Sequence, residues 1–196
     1  MGDEINFSPE SADNTTMHAE TLKLIATFAE RAPSTALPSR LDALFRRLAA
    51  TTLPIEAKQT EDRIWELWMT HPNAAAARVL DRAASEIAAG LFDIAETRLV
   101  KLLRARPDYP EAWNKRATLY YIAERDEDFI RDVHRTLQLE PRHFGAICGF
   151  AEICLGRGER EAALFAFRAA LRINPHLTQV QKTVASLDSG NADRDY

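Results

Sequence analysis

The sequence predicts an all-α solenoid of stacked helical hairpins, and three observations carry that prediction. Pro107, Pro141 and Pro175 lie 34 residues apart, and Pro72 lies 35 residues before Pro107. A proline closing units of that length marks a helix-turn-helix repeat. The 196 residues include only 7 Gly and are 46% hydrophobic, with long runs rich in Ala, Leu, Arg and Glu, a composition that favours helix. Apolar residues also recur at three- and four-residue steps, which place them on one helical face. Each unit is too small to bury its own apolar face, so neighbours must stack to make a core. The product of such an array is surface, which suits holding another molecule better than transforming one.

Residues 1–15 are polar and are expected to form a disordered arm. From 16 to 31, Leu22, Ile25, Phe28 and Ala29 share one helical face. Ala32-Pro33-Ser34-Thr35 breaks that helix. A helix over 39–51 follows, with Leu41, Leu44, Phe45 and Leu48 on one side. Another over 56–70 has Ile64, Trp65, Leu67 and Trp68 on its apolar side, and His71-Pro72 closes it. Three helix pairs come next, at 74–89 with 92–105, 110–123 with 127–138, and 144–156 with 159–172. Gly90, the segment 124–126 and Gly158 form the three turns. A last helix over 176–187 presents Leu177, Val180, Val184 and Leu187 on one face. It carries Gln179, Lys182 and Thr183 on the other, the pattern of a polar terminal cap. The tail 188–196 is expected to be disordered. The chain thus divides into 1–15, an N-terminal helical region 16–72, an array 73–187 and the tail.

Composition excludes several classes. No run approaches the roughly 18 apolar residues that span a membrane. The opening Met1-Gly2-Asp3-Glu4 has neither a basic nor an apolar leader region. The expected compartment is therefore the cytoplasm, or the periplasm for a chain whose leader has been removed. Residues 1–71 hold 7 basic and 11 acidic side chains, and residues 72–187 hold 17 and 15. A nearly neutral array argues against a nucleic-acid footprint. Cys148 and Cys154, the two cysteines, would sit about 9 Å apart along one helix. That is too far for a disulfide and suits two small buried side chains.

The repeats resemble the tetratricopeptide repeat family, which favours an aromatic at position 4, small residues at 8, 20 and 27, Tyr at 11, Phe at 24 and Pro at 32. Counted from Pro110, the middle unit gives Trp113, Ala117, Tyr120 and Pro141, although Phe129 stands where position 20 wants a small residue. Counted from Phe144, the third gives Ala151, Ala163, Phe167, Ala170 and Pro175. Counted from Ala76, the first gives Ala83, Ala95, Leu99 and Pro107. Residues 39–72 match more weakly, through Leu44, Ile64 and Pro72, and read as a degenerate first repeat. The layout also resembles small bacterial repeat proteins of proteobacterial type, some of them exported. The resemblance implies a right-handed superhelix with an N-terminal helical extension and a C-terminal capping helix. Within that frame, Trp65 and Trp68 are expected to knit the degenerate repeat to the next.

In that family the first helix of each pair lines a concave groove. Carried over, the groove consists chiefly of Leu80, Ala84 and Ile87 from the first repeat. Asn114, Thr118, Tyr121 and Ile122 come from the second, and Cys148, Glu152 and Leu155 from the third. The lysine and asparagine clamp that some members use on a peptide carboxylate is missing. Leu80 and Ala84 stand where Lys and Asn are needed, and Gly145 and Gly149 where Lys and Arg are. A groove that starts apolar and turns polar suits an amphipathic helix. Either the chain's own helix at 16–31 or a partner helix is expected to fill it.

Other chemistry finds little support. The five histidines show no metal-ligand spacing, and neither a Gly-rich phosphate loop nor a nucleophile on a strained turn is present, so no cofactor or metal is expected. The acids Glu124, Asp126, Glu127 and Asp128 read as a solvated turn in which Asp126 or Asp128 caps the next helix. A row of basic residues (Arg98, Lys101, Arg104, Arg131, Arg135, Arg168, Arg172) recurs at similar offsets on the second helices. The expected function is non-catalytic binding of another protein in the apolar groove. The alternative is a nucleic-acid or anionic-surface binder using that convex row.

Overall fold

A computed structural model of the protein describes residues 9–35 and 37–192. Among them are ten α-helices and no strand. These are α1 (Pro9–Ala26), α2 (Leu41–Ala50), α3 (Pro54–Trp68), α4 (Ala74–Ala88) and α5 (Phe92–Ala105), then α6 (Pro110–Ile122), α7 (Asp126–Leu139), α8 (Phe144–Gly156), α9 (Arg160–Ile173) and α10 (Thr178–Ala192), with a 3₁₀ turn at Phe28–Glu30 after α1. No helix among the described residues is long and apolar enough to cross a membrane. Two boundaries differ from expectation. The first helix already begins at Pro9, where the missing N–H of proline costs nothing, so 9–15 of the expected arm are helical, while 1–8 and residues 193–196 of the expected tail lie outside the described residues. The last runs past Leu187 to Ala192, with Asp188 taken up by Arg168 at 2.7 Å.

The three pairs α4–α5, α6–α7 and α8–α9 are the repeats, and their local logic is the one the spacing implies. Pro107, Pro141 and Pro175 each follow a second helix by two residues, because proline cannot continue it. Ala83, Ala117 and Ala151 are buried where paired helices cross. Asn73 caps α4 by accepting the N–H groups of Ala75 and Ala76 at 2.9 and 3.1 Å. The turn between paired helices needs a left-handed residue, supplied by Gly90 (φ 73°) and Gly158 (φ 76°). Midway between them, 34 residues from each, Glu124 takes the same conformation at φ 55°.

Phe129, the departure from the repeat pattern, is accommodated by a second departure. A β carbon on Gly149 would lie 3.0 Å from the Phe129 ring, so the missing side chain on α8 makes room for the extra ring on α7. The acidic turn does not cap α7, whose cap position is Arg125. Asp126 and Glu127 instead reach the next turn and pair with Arg157 at 3.2 and 2.9 Å. Within the second repeat, Asp132 is buried and takes a two-pronged contact from Arg116 at 2.7 Å on each oxygen.

Residues 39–72 do not stack in front of α4 as a degenerate repeat. The α2–α3 hairpin folds back to the far end of the array. Arg142 pairs with Asp42 at 2.6 Å, and its guanidinium lies 4.3 Å from the Phe45 ring centre. The ring of His176 meets the Leu48 carbonyl at 3.0 Å. One apolar cluster therefore joins α1–α3 to the second and third repeats and α10. A second, smaller cluster holds the first repeat to the start of α6 through Leu80, Leu99, Leu103, Tyr109 and Ala112.

Candidate functional site

Helix α3 packs against the first helices α6 and α8, on the side that the family pattern assigns to a groove. Trp65 sits over Gly145 so closely that a β carbon there would be 2.6 Å from its ring, and the Lys115 ammonium lies 5.8 Å from the same ring's centre. Trp68 stacks on His143 with ring centres 4.0 Å and planes 10° apart, and also packs against Phe144. Asn174 donates to Glu61 at 2.8 Å. That face is thus covered by α3 at the second and third repeats. The expected segment 16–31 is elsewhere. It runs along α7 and α9, with Thr21 3.2 Å from His134 and Arg31 donating to the Leu137 carbonyl at 2.9 Å. The two tryptophans likewise bind the third repeat and not the first. Their apolar side is legible in the sequence, but the surface it buries is not.

The ten expected groove residues divide accordingly. Leu80, Asn114 and Cys148 hold the same place in the three repeats and turn inward. Leu80 is fully buried in the first repeat's core, and Asn114 is buried and donates to Glu111 at 3.2 Å. Burial, with Glu152 and Glu61 nearby, pushes the Cys148 thiol up to about 12, so it stays protonated at neutral pH. Ala84, Ile87 and Leu155 are half-buried. Only Thr118, Tyr121, Ile122 and Glu152 are exposed, with Tyr121 and Ile122 nearly half accessible.

Beneath α3 lies a buried polar pair that sequence reading missed. Glu111 and His143, both fully buried, meet at 2.8 Å. His143 Nδ1 accepts the Ala146 N–H at 3.1 Å, which leaves Nε2 to donate to Glu111. Lys115 lies 3.0 Å from the other carboxylate oxygen. Burial by itself raises the Glu111 carboxyl, but His143 and Lys115 together outweigh it and hold the group below its ordinary value. The signal in the sequence was a charged residue at the second position of a repeat, 32 residues before a histidine, and nothing in that spacing distinguishes it from a solvated pair.

Because α3 has left the front of the array, the first repeat has an uncovered flank. A groove of about 690 Å³ runs between α4 and α5. Ala75, Ala76, Val79, Ile94, Leu102 and Ala105 form its floor, and Asp93, Arg98, Lys101 and Arg106 stand along it. In a complete stack this is the face a preceding helix would cover. Three of the seven residues of the convex basic row are neutralised. Arg98 pairs with Glu86, Arg131 with Asp128 and Arg168 with Asp188, while Arg172 lies 5.0 Å from the Phe28 ring under α1.

No protein-family model matches the chain. A TPR repeat-containing protein of Rhizobium etli is 30% identical over 158 residues, which span 81% of this chain and 78% of that relative.

Proposed function

Since the chain belongs to the tetratricopeptide repeat (TPR) family, a family of protein-interaction scaffolds, we propose that it is a non-catalytic scaffold whose working surface is the open flank of its first repeat. The occupant is an amphipathic helix of another protein, with acidic residues beside its apolar stripe. One observation carries this reading. The α4–α5 groove has an apolar floor and lies on the flank where a preceding helix of the array would pack, while α3 covers the first helices of the second and third repeats. Lys101 and Arg106 on its rim favour an acidic partner through charge complementarity.

Selection from a library of displayed helical peptides tests the proposal. Enriched peptides should carry apolar anchors at i, i+3 or i+4, and i+7, with acidic flanks. Val79→Asp or Ile94→Asp should weaken their binding by roughly ten- to a hundredfold, since each buried side chain is worth about 1–3 kcal/mol, and circular dichroism should be unchanged. Loss of binding with Tyr121→Asp instead would move the site to the residual concave strip. Loss with Arg131→Ala and a steep salt dependence would move it to the convex row.

A further inference from the structure

We infer that His18, Cys154 and Glu159 form a zinc site that fastens α1 to the third repeat. The three side chains come from separate elements, the first helix, the end of α8 and the turn before α9, and their ligand atoms lie within 4.8 Å of one another. Cys154 Sγ is 3.4 Å from His18 Nε2, and a Glu159 carboxylate oxygen is 2.8 Å from the same nitrogen. Zn²⁺ bonded tetrahedrally to nitrogen, sulfur and oxygen separates its ligands by about 3.5 Å for N–S and about 3.3 Å for N–O. The N–S distance already matches. The N–O distance must widen by about half an ångström, which the Glu159 side chain, 39% exposed, has room to do.

The donor set selects the metal. A thiolate with an imidazole favours Zn²⁺ over Mg²⁺ or Ca²⁺, which want oxygen alone. Cys154 is fully buried, and His18 is held by ring contact with Phe150 at 5.0 Å, so two of the three ligands are fixed beforehand. Glu159 faces solvent and leaves the fourth position to water. On binding, the Cys154 S–H bond breaks, the sulfur lone pair forms the S–Zn bond, and the proton leaves to solvent. The consequence is mechanical. Residues 18 and 154 become joined through one ion, closing α1 over α7 and α9.

Untagged protein, stripped with a chelator and titrated with Zn²⁺ by calorimetry and with Co²⁺ by absorption, tests the site. One ion per chain is expected, with a near-ultraviolet thiolate-to-cobalt charge-transfer band and a higher melting temperature in the metal-loaded form. Cys154→Ser should abolish the band, and His18→Ala should weaken affinity by about tenfold or more, at least what loss of a supporting partner costs. Cys148→Ser should leave both unchanged. Absence of stoichiometric binding, a cobalt spectrum without the thiolate band, or binding that survives Cys154→Ser would overturn the assignment. Binding lost equally with Cys148→Ser would overturn it as well.

Discussion

Trp65 and Gly145 share one space: the indole of α3 occupies the volume a side chain on α8 would fill, with 2.6 Å between its outer ring carbon and the position of a β carbon. Gly145→Ala should therefore destabilise the protein, even though alanine is the better helix former by about 0.5–1 kcal/mol. Overpacking costs about 1–3 kcal/mol, so a net loss near 1 kcal/mol is expected in denaturant unfolding. In a Trp65→Ala background the same change should be neutral or stabilising. Equal losses in both backgrounds would show that the indole does not hold α3 in the groove.

Glu124 occupies a left-handed conformation that its counterparts Gly90 and Gly158 adopt without strain. Such a conformation costs a residue with a side chain roughly 1–2 kcal/mol, partly offset by glycine's greater freedom when unfolded. Glu124→Gly should raise stability by about 0.5–1 kcal/mol. A thermal melt reads this directly, and a lower melting temperature would contradict the strain argument.

Acid should weaken the fold through Glu111. Its carboxyl lies below its ordinary value in the native state because His143 and Lys115 outweigh the effect of burial. A group of that kind contributes stability that is complete above its unfolded value and is lost as pH falls toward its native one. Stability measured by urea unfolding should decline below about pH 4.3. Glu111→Gln should be less stable at neutral pH and show a shallower decline. An identical pH profile in the two proteins would remove Glu111 from the account.

Asp132 and Arg116 tie α6 to α7 inside the second repeat. Asp132→Ala leaves a largely buried guanidinium unpaired and should cost about 3–5 kcal/mol. Replacing both partners, as in Arg116→Met with Asp132→Leu, should restore most of that loss. Failure of the double variant to recover would place the cost in packing and not in the stranded charge.

The repeats were legible because their signals are local. Prolines stop helices, alanines sit at crossings, and a helix that ends must find a left-handed residue. The fate of α3 was not legible for the opposite reason. Ile64, Trp65, Leu67 and Trp68 announce an apolar face, and a face pattern is the same whether it covers the next repeat or one a hundred residues later. The clue lay at the receiving end, where Gly145 stands at a groove position with no side chain of its own. Leu80 and Asn114, groove positions by the family pattern, are buried, Leu80 within the first repeat's own core, because that pattern fixes which helix a residue belongs to and not how far its side chain turns inward. His18, Cys154 and Glu159 are similarly invisible in sequence, since α1 had to be placed before they could meet.

The returning hairpin also sets how many repeats this chain can have. In an open array a unit can be duplicated or deleted, because each touches only its neighbours. Here Asp42 answers Arg142, Glu61 answers Asn174, and Trp65 answers Gly145. An inserted unit would carry those receiving residues out of reach, and a deleted one would slide them past. The hairpin is in effect a gauge cut to three repeats.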